Sequence, residues 1–274
     1  MKHYSVAKYI TPMITSVCIT IISIHLACAQ ELAKTAQITE IEAIVTDRPD
    51  YTESVETVPA GKIQIEGGYT YTQSDRHSAS QSFGEALIRV SSGRNSELRI
   101  GLNSYDVNHG PEGSNHGLED ADIGVKIRLT EGKQYTGLRH PAVSVIALTS
   151  LPTGTGSERG RDLQPTVKLC LGFDLTQRLG LGVNANYSYI SDDTGHYSQF
   201  NPSASFGYTL TDRVGSYFEY YGFYPEGQRP KTHYFDTGLT YLINNDTQLD
   251  VRIGAGLNGA SDDFFIGTGG AVRF

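Results

Sequence analysis

The chain has 274 residues, with 22 Lys and Arg against 30 Asp and Glu, a formal net charge of −8, three Cys and no Trp. The acidic balance argues against nucleic acid as a partner. The length suits one β-barrel domain, and the cysteines are too few for a disulfide framework.

Residues 1–29 read as a secretory signal. Lys2 and Lys8 give a basic start, Ile10 to Leu26 is mostly apolar, and Ala27-Cys28-Ala29 places small residues at the cleavage positions. Cleavage near Ala29 removes Cys18, Cys28 and both lysines but no acid, so the net charge becomes −10 and Cys170 is the one remaining cysteine. After Leu26 no apolar run approaches the roughly 18 residues that a membrane helix needs. A membrane-spanning chain would therefore have to cross as strands.

Residues 30–61 have no clean period and contain Pro49 and Pro59. They are expected to form an irregular N-terminal segment, either a periplasmic tail or a plug in a barrel lumen. From Lys62 onward the alternation predicts one barrel domain, 62–274, of twelve strands: 62–73, 82–91, 96–105, 118–130, 141–150, 164–175, 179–191, 199–210, 214–224, 233–243, 247–257 and 263–274. The connections alternate in length. Short ones fall at Ser92–Asn95, Thr176–Arg178, Thr211–Arg213 and Asn244–Asp246. Long ones fall at Ser74–Gln81, Asp106–Gly117, Leu151–Leu163, Asp192–Ser198, Pro225–Thr232 and Asn258–Asp262. Glu131–His140 alone is long on the short side. An up-and-down antiparallel transmembrane barrel with tight periplasmic turns and larger outer loops has this rhythm.

The period of two separates greasy and polar faces. Leu249, Val251, Ile253, Ala255 and Leu257 share one face, and Asp250, Arg252, Gly254 and Gly256 the other. Ile123, Val125, Ile127 and Leu129 stand against Asp122, Gly124, Lys126 and Arg128 in the same way. A soluble lipocalin-like barrel alternates too, with its greasy face inward. Gly, Asn, Ser and charge make a poor dry core but a good wet lumen. Tyrosines cluster near strand ends (Tyr69, Tyr71, Tyr187, Tyr189, Tyr208, Tyr220, Tyr241), as interfacial girdles require. The expectation is a barrel in the outer membrane of a Gram-negative bacterium, in contact with its lipid and lipopolysaccharide.

Thr46-Asp47-Arg48-Pro49-Asp50-Tyr51-Thr52-Glu53-Ser54, then Pro59-x-Gly61 and Ile65-Glu66-Gly67-Gly68-Tyr69, resembles the opening of the "MetA-pathway of phenol degradation" family of outer-membrane transporters. Leu151-Pro152-Thr153-Gly154, Thr211-Asp212-Arg213, Glu219-Tyr220-Tyr221-Gly222-Phe223 and Leu257-Asn258-x-x-x-Asp262-Asp263 are similar to that family as well. The resemblance covers nearly all of the chain after the signal. It implies an outer-membrane transporter linked by name to aromatic catabolism. The terminal Phe274 resembles the assembly signal that the barrel-assembly machinery reads.

No enzyme constellation stands out. A lipid-modifying barrel needs a Ser–His pair with an orienting partner, whereas His77, His109, His116, His140 and His196 fall mostly in expected loops, and His233 joins no Ser/His set. The acidic loop around Asp106, His109, Glu112 and His116 matches no closed zinc or EF-hand spacing, so no metal and no cofactor are expected. The functional candidates are charges on inward positions: Glu66, Glu85, Arg89, Arg99, Lys126, Lys168, Glu219, Asp236 and Arg252. Such charges either pair across strands and fill the barrel or line a path that selects solutes. Asp47, Arg48 and Asp50 are the plug candidates, and Arg48 would then need a carboxylate, with Glu66 or Glu219 as the expected partner. The leading expectation is a passive channel for small solutes, aromatic or otherwise hydrophobic ones included. The alternatives are a non-transporting structural or surface-display barrel and, further off, an interfacial lipid-modifying enzyme.

Overall fold

A computed structural model of the protein describes residues 42–156, 159–192 and 195–274. The signal expected over residues 1–29 lies outside the described residues. The strands are β1 (Ile63–Gln73), β2 (Ala79–Ser91), β3 (Ser96–Gly110), β4 (Gly113–Leu118), β5 (Ala121–Glu131), β6 (Ala142–Leu151), β7 (Gln164–Asp174), β8 (Leu179–Asp192), β9 (Gly195–Thr209), β10 (Val214–Pro225), β11 (Thr232–Asn244), β12 (Thr247–Gly256) and β13 (Phe264–Arg273). Consecutive strands pair antiparallel, except that β4 and β5 do not pair with each other and both pair with β3; β1 also pairs with β13, from Gln64↔Arg273 to Gln73↔Phe264. The sheet therefore closes on itself through β1–β13 and β2–β3, and among the described strands β4 alone has a strand partner on one side only, β3.

Thirteen segments make twelve staves, because β4 and β5 share one. The single strand expected over 118–130 is broken at Glu119-Asp120, and the loop expected over 106–117 is mostly a hairpin. β3 runs past the barrel wall and pairs first with β5 (Ser96↔Ile127 to Gly101↔Asp122), then with β4 (Tyr105↔Leu118 to Gly110↔Gly113). Between these ladders Asn103 has φ +24, and its amide donates to the Asp120 carbonyl, closing the gap. A second irregularity faces it on β2. Gly84 and Glu85 both have positive φ there, and the register shifts between Phe83 and Ala86.

Burial is inverted relative to a soluble protein. On β12, Leu249, Val251 and Ile253 are about half exposed while Gln248, Asp250 and Gly254 are buried. Ile123, Val125 and Ile127 on β5 are exposed in the same way, and Lys126 between them is fully buried. Tyr187 and Tyr189 stand out from the wall near the long-loop end, and Tyr208 and Tyr241 near the short-turn end, so two aromatic bands bracket the apolar belt. The outer face suits hydrocarbon. A cation at its midplane costs about 2–4 kcal/mol. Val251→Arg, at the centre of β12, should therefore destabilise the barrel by about 2–4 kcal/mol in urea unfolding from lipid vesicles. Unchanged stability there would contradict a lipid-facing β12.

Candidate functional site

The inner wall carries two opposed charge fields. β2, β3, β5 and β7 project Arg89, Arg99, Lys126, Arg128 and Lys168 on one side. β10, β11 and β12 project Glu219, Asp236 and Asp250 on the other. Glu66, Arg89, Arg99, Lys126, Glu219 and Asp236 are almost completely buried. Glu85, Lys168 and Arg252 point inward and keep 16%, 18% and 19% of their side-chain surface. What covers these groups is the chain's own N-terminal segment. It starts at the short-turn end, where Ile44 N donates to Asn245 O (2.7 Å), and returns to Val58 and the Lys62 N to Pro59 O bond (3.0 Å) at the start of β1.

Asp47 sits in the cationic field. Its Oδ2 accepts from Arg99 (2.6 Å) and Lys126 (3.0 Å) and lies 3.4 Å from Arg89. Arg89 and Arg99 are cross-strand partners, an arrangement of like charges that repels unless neutralised. Around them Arg89 bonds Glu66 (3.0 Å) and Glu97 (2.9 Å), and Arg99 bonds Glu97 (2.8 Å). This part of the wall holds three cations and two carboxylates, so it carries one excess positive charge. Asp47 supplies the missing anion.

Arg48 lies against Gly68 and Gly269 on β1 and β13, between a carboxylate of β2 and one of β12. Its carboxylate partners are Glu85, at short range, and Asp250 (3.3 Å). Neither Glu66 nor Glu219 takes that role. Both carboxylates bind the backbone of the segment instead. Glu66 accepts from Asp47 N (3.0 Å) and Arg48 N (3.1 Å). Glu219 accepts from Tyr51 N and Thr52 N (both 2.6 Å) and from the Thr52 hydroxyl. A bend presents clustered N–H donors, and burial leaves them only these carboxylates to satisfy them.

The return limb repeats the charge matching. Glu53 pairs with Lys168 (2.6 Å) and Arg99 (3.3 Å), Glu56 pairs with Arg128, and Val58 N donates to Glu97 (2.7 Å). Inner-face glycines make room for the segment. A Cβ at Gly68 or Gly269 would collide with the Arg48 guanidinium, one at Gly172 would strike Val55 at 2.8 Å, and one at Gly182 would press Thr52.

The structure thus gathers Asp47, Arg48, Glu66, Glu85, Arg89, Arg99, Lys126, Lys168, Glu219 and Arg252 around the segment, whereas Asp236 accepts from the Tyr217 hydroxyl (3.0 Å) and Asp50 is in none of the ion pairs among the described residues. It also adds Glu97, Tyr51, Thr52, Glu53 and Glu56, which the strand reading passed over. Two signals could have found them. Glu97 lies two residues before Arg99 and so shares its face, and Asp47, Asp50, Glu53 and Glu56 recur every third residue.

A cavity lies on each side of the segment. Towards the long loops, about 580 Å³ is lined by Asp120, Asp122, Gln164, Lys168 and Asn186, with Tyr51 in its floor. Towards the short turns, about 430 Å³ is lined by Arg48, Asp50, Thr52, Gly172 and Tyr217, among others. Among the described residues no group of three or more His, Cys, Asp or Glu is arranged to hold a metal ion.

A closed antiparallel barrel with a greasy outside, aromatic bands and a charged interior is the architecture of an outer-membrane β-barrel. The family model described as "Putative MetA-pathway of phenol degradation" matches residues 46–274, and the chain belongs to that family. Similar solved structures are outer-membrane barrels. The COG4313 outer membrane channel from Pseudomonas putida F1 has a TM-score of 0.64 at 12% identity, covering 84% of this chain and 100% of that one. The NanC porin has a TM-score of 0.53 at 12% identity, covering 77% and 100%. The translocator domain of the autotransporter NalP from Neisseria meningitidis has a TM-score of 0.50 at 11% identity, covering 80% and 91%. At these identities the likeness concerns the fold. No curated protein sequence matches the chain.

The two acids of the outgoing limb titrate in opposite senses. Burial opposes ionisation of Asp47, but Arg89, Lys126 and Arg99 overcome it and hold the carboxyl well below the usual range. Its contribution to docking is complete above its free value and is lost only as pH falls through the lower docked value. Asp50 is pushed up to about 7, first by burial and then, against a Ser205 hydrogen bond, by the facing carboxylates of Asp236 and Asp47. Docking favours its neutral form, so its contribution is complete in acid and is lost as pH rises through about 7.

Cys170 offers a probe of docking. It is fully buried on β7 between Ser144 and Asn184. The Ser144 hydroxyl donates to Val55 O (2.5 Å), and the Asn184 amide matches the backbone of Glu53. Asp47→Asn removes the balancing anion. Loss of one partner from a buried ion cluster costs about 3–5 kcal/mol, so maleimide labelling of Cys170 should rise on the order of 100-fold or more. An unchanged rate would contradict the role given to Asp47. The labelling rate, divided by that of a variant lacking residues 42–60 to cancel thiol ionisation, should rise about tenfold from about pH 6 to about pH 8. Asp50→Asn should flatten that slope.

Proposed function

We propose that this protein is a passive, non-enzymatic channel for small solutes, aromatic or otherwise hydrophobic ones included, and that its N-terminal segment closes the lumen at rest. The carrying observation is the place of the segment between two cavities: Tyr51 lines the outer one, and residues 45–56 other than Asp47 and Tyr51 line the inner one. Every charged side chain of that stretch except Asp50 meets an opposite charge on the wall. Such a segment is held by polar contacts and water can replace them, so it can dock and undock without breaking the strand ladder. The lumen charges freed by undocking then set solute preference.

The same reading places the short turns and both ends of the barrel in the periplasm, and it has the signal cleaved after Ala29. Phe274 is 63% exposed and follows Val272 and Ile266 along the lipid face, as suits a strand read by the barrel-assembly machinery. At the long-loop end Arg229 stacks over Tyr197 (3.8 Å) and Lys231 lies near Tyr224 (5.9 Å). Cations above an aromatic band suit the phosphates of lipopolysaccharide.

Planar-bilayer recording tests the proposal. Protein purified from outer membranes should conduct rarely, and a variant lacking residues 42–60 should conduct steadily. Steady conductance in both would make the segment a tail. Silence in both, with the barrel shown to be folded, would remove the channel and favour surface display.

A further inference from the structure

Among the described residues the buried inner wall is mostly charged or polar, and its aromatic side chains gather at one place. Tyr221, Tyr234 and Phe265 form the buried apolar cluster of the interior, with Phe223 packed against it. Tyr221 and Tyr234 stack with ring centroids 5.0 Å apart and planes at 16°. Phe223 stands edge-on to both, at 5.9 and 6.1 Å. This wall of three rings is completed by a ring from the N-terminal segment. Tyr51 stacks on Tyr221 at 4.6 Å and 18° and meets Phe223 edge-on at 5.5 Å.

The far end of the slot is polar. The Tyr51 hydroxyl faces Asn186 and Asn201, which are cross-strand partners on β8 and β9 and line the outer cavity with it. Both asparagines are buried, yet neither polar atom of the Asn186 amide, nor Asn201 Oδ1, makes a hydrogen bond of good geometry. A buried amide without a well-made bond costs about 1–3 kcal/mol. The two amides therefore stand ready for a hydroxyl that sits better than that of Tyr51. Tyr51 is tethered by its own backbone bond to Glu219 (2.6 Å), so its ring cannot slide further towards them.

We propose that Tyr221, Phe223 and Tyr234, with Asn186 and Asn201, form a binding subsite for a single hydroxylated aromatic ring, and that Tyr51 is its built-in occupant. A solute entering the outer cavity meets Tyr51 in the floor and competes with it for the same stack and the same amides. Occupation by solute excludes Tyr51 and so favours the undocked segment. This rests on the reading of the segment as a displaceable closure. It adds the ligand class and the residues that would recognise it. The chemistry selects a flat ring with one hydroxyl at its edge: the stack rejects a puckered ring, and the paired amides reject a ring with nothing to donate or accept.

Labelling of Cys170 in purified protein, with phenol and cyclohexanol as probes, tests it. A ligand that binds only the undocked state raises that population by one plus its ratio to Kd, so phenol at about five times its Kd should speed labelling about sixfold. Cyclohexanol, equal in size but not flat, should leave the rate unchanged. Tyr221→Leu, with folding checked by heat-modifiable gel migration, should abolish the phenol effect. In Tyr51→Ala phenol can enter without expelling a ring, so its binding should no longer speed labelling. Equal acceleration by both alcohols, or a phenol effect that survives Tyr221→Leu, overturns the subsite. So does the absence of a phenol effect when deletion of residues 42–60 exposes Cys170, an outcome that leaves the closure standing. If that deletion leaves Cys170 protected, both readings fall together.

Discussion

Asp47 resolves a problem that the barrel wall cannot resolve alone. Three cations, Arg89, Arg99 and Lys126, project into one buried patch, and only Glu66 and Glu97 accompany them from the wall. In low dielectric an unbalanced charge is far more costly than the same charge in water. The patch must either fill with water and ions or accept an anion from elsewhere. The N-terminal segment provides that anion, and its other contacts follow from the placement of Asp47. With Asp47 fixed, Arg48 lies between Glu85 on β2 and Asp250 on β12, and the bend at Tyr51 and Thr52 hands its N–H groups to Glu219.

The closed state has a particular physical character. A dry, greasy plug would be held by surface area and would leave only at high cost. This segment is held by ion pairs and backbone hydrogen bonds, which water can replace. The wall is prepared for it in shape as well as charge. Gly68, Gly172, Gly182 and Gly269 leave hollows where a side chain would have excluded the segment. In the open state proposed above, the same hollows would widen the path for a solute. The aromatic cluster at Tyr221 and Tyr234 is an apolar station in the lumen, and the segment covers it with a ring of its own.

Much of the barrel was legible in the sequence because a lipid-facing strand obeys a strict rule. Charge on the outer face is penalised and hydrocarbon is rewarded, so Val251 and Ile253 against Asp250 and Arg252 tell inside from outside. Strand ends shifted by a few residues, as at β2 and β9, because a ladder continues past the membrane wherever partners remain. The break at Glu119-Asp120 was hidden for a different reason. Glu and Asp are weak strand formers, but a single acidic pair does not mark a break by itself, and the interruption meets irregular backbone at Asn103 on β3 and Glu85 on β2 beyond it.

The lumen shows where reading residues in order stops. The sequence by itself determined the period of two, and with it the faces, the number of staves and the set of inward charges, because each follows from a residue and its near neighbours. Only the tertiary structure decided which charges meet. Arg48 finds Asp250 across 202 positions, and Lys168 finds Glu53 across 115. Pairs that distant depend on how the barrel closes and on which way an irregular segment turns inside it. Neither is written in any local pattern, so Glu66 and Glu219 were plausible partners for the Arg48 side chain until the bend aimed its backbone at them instead.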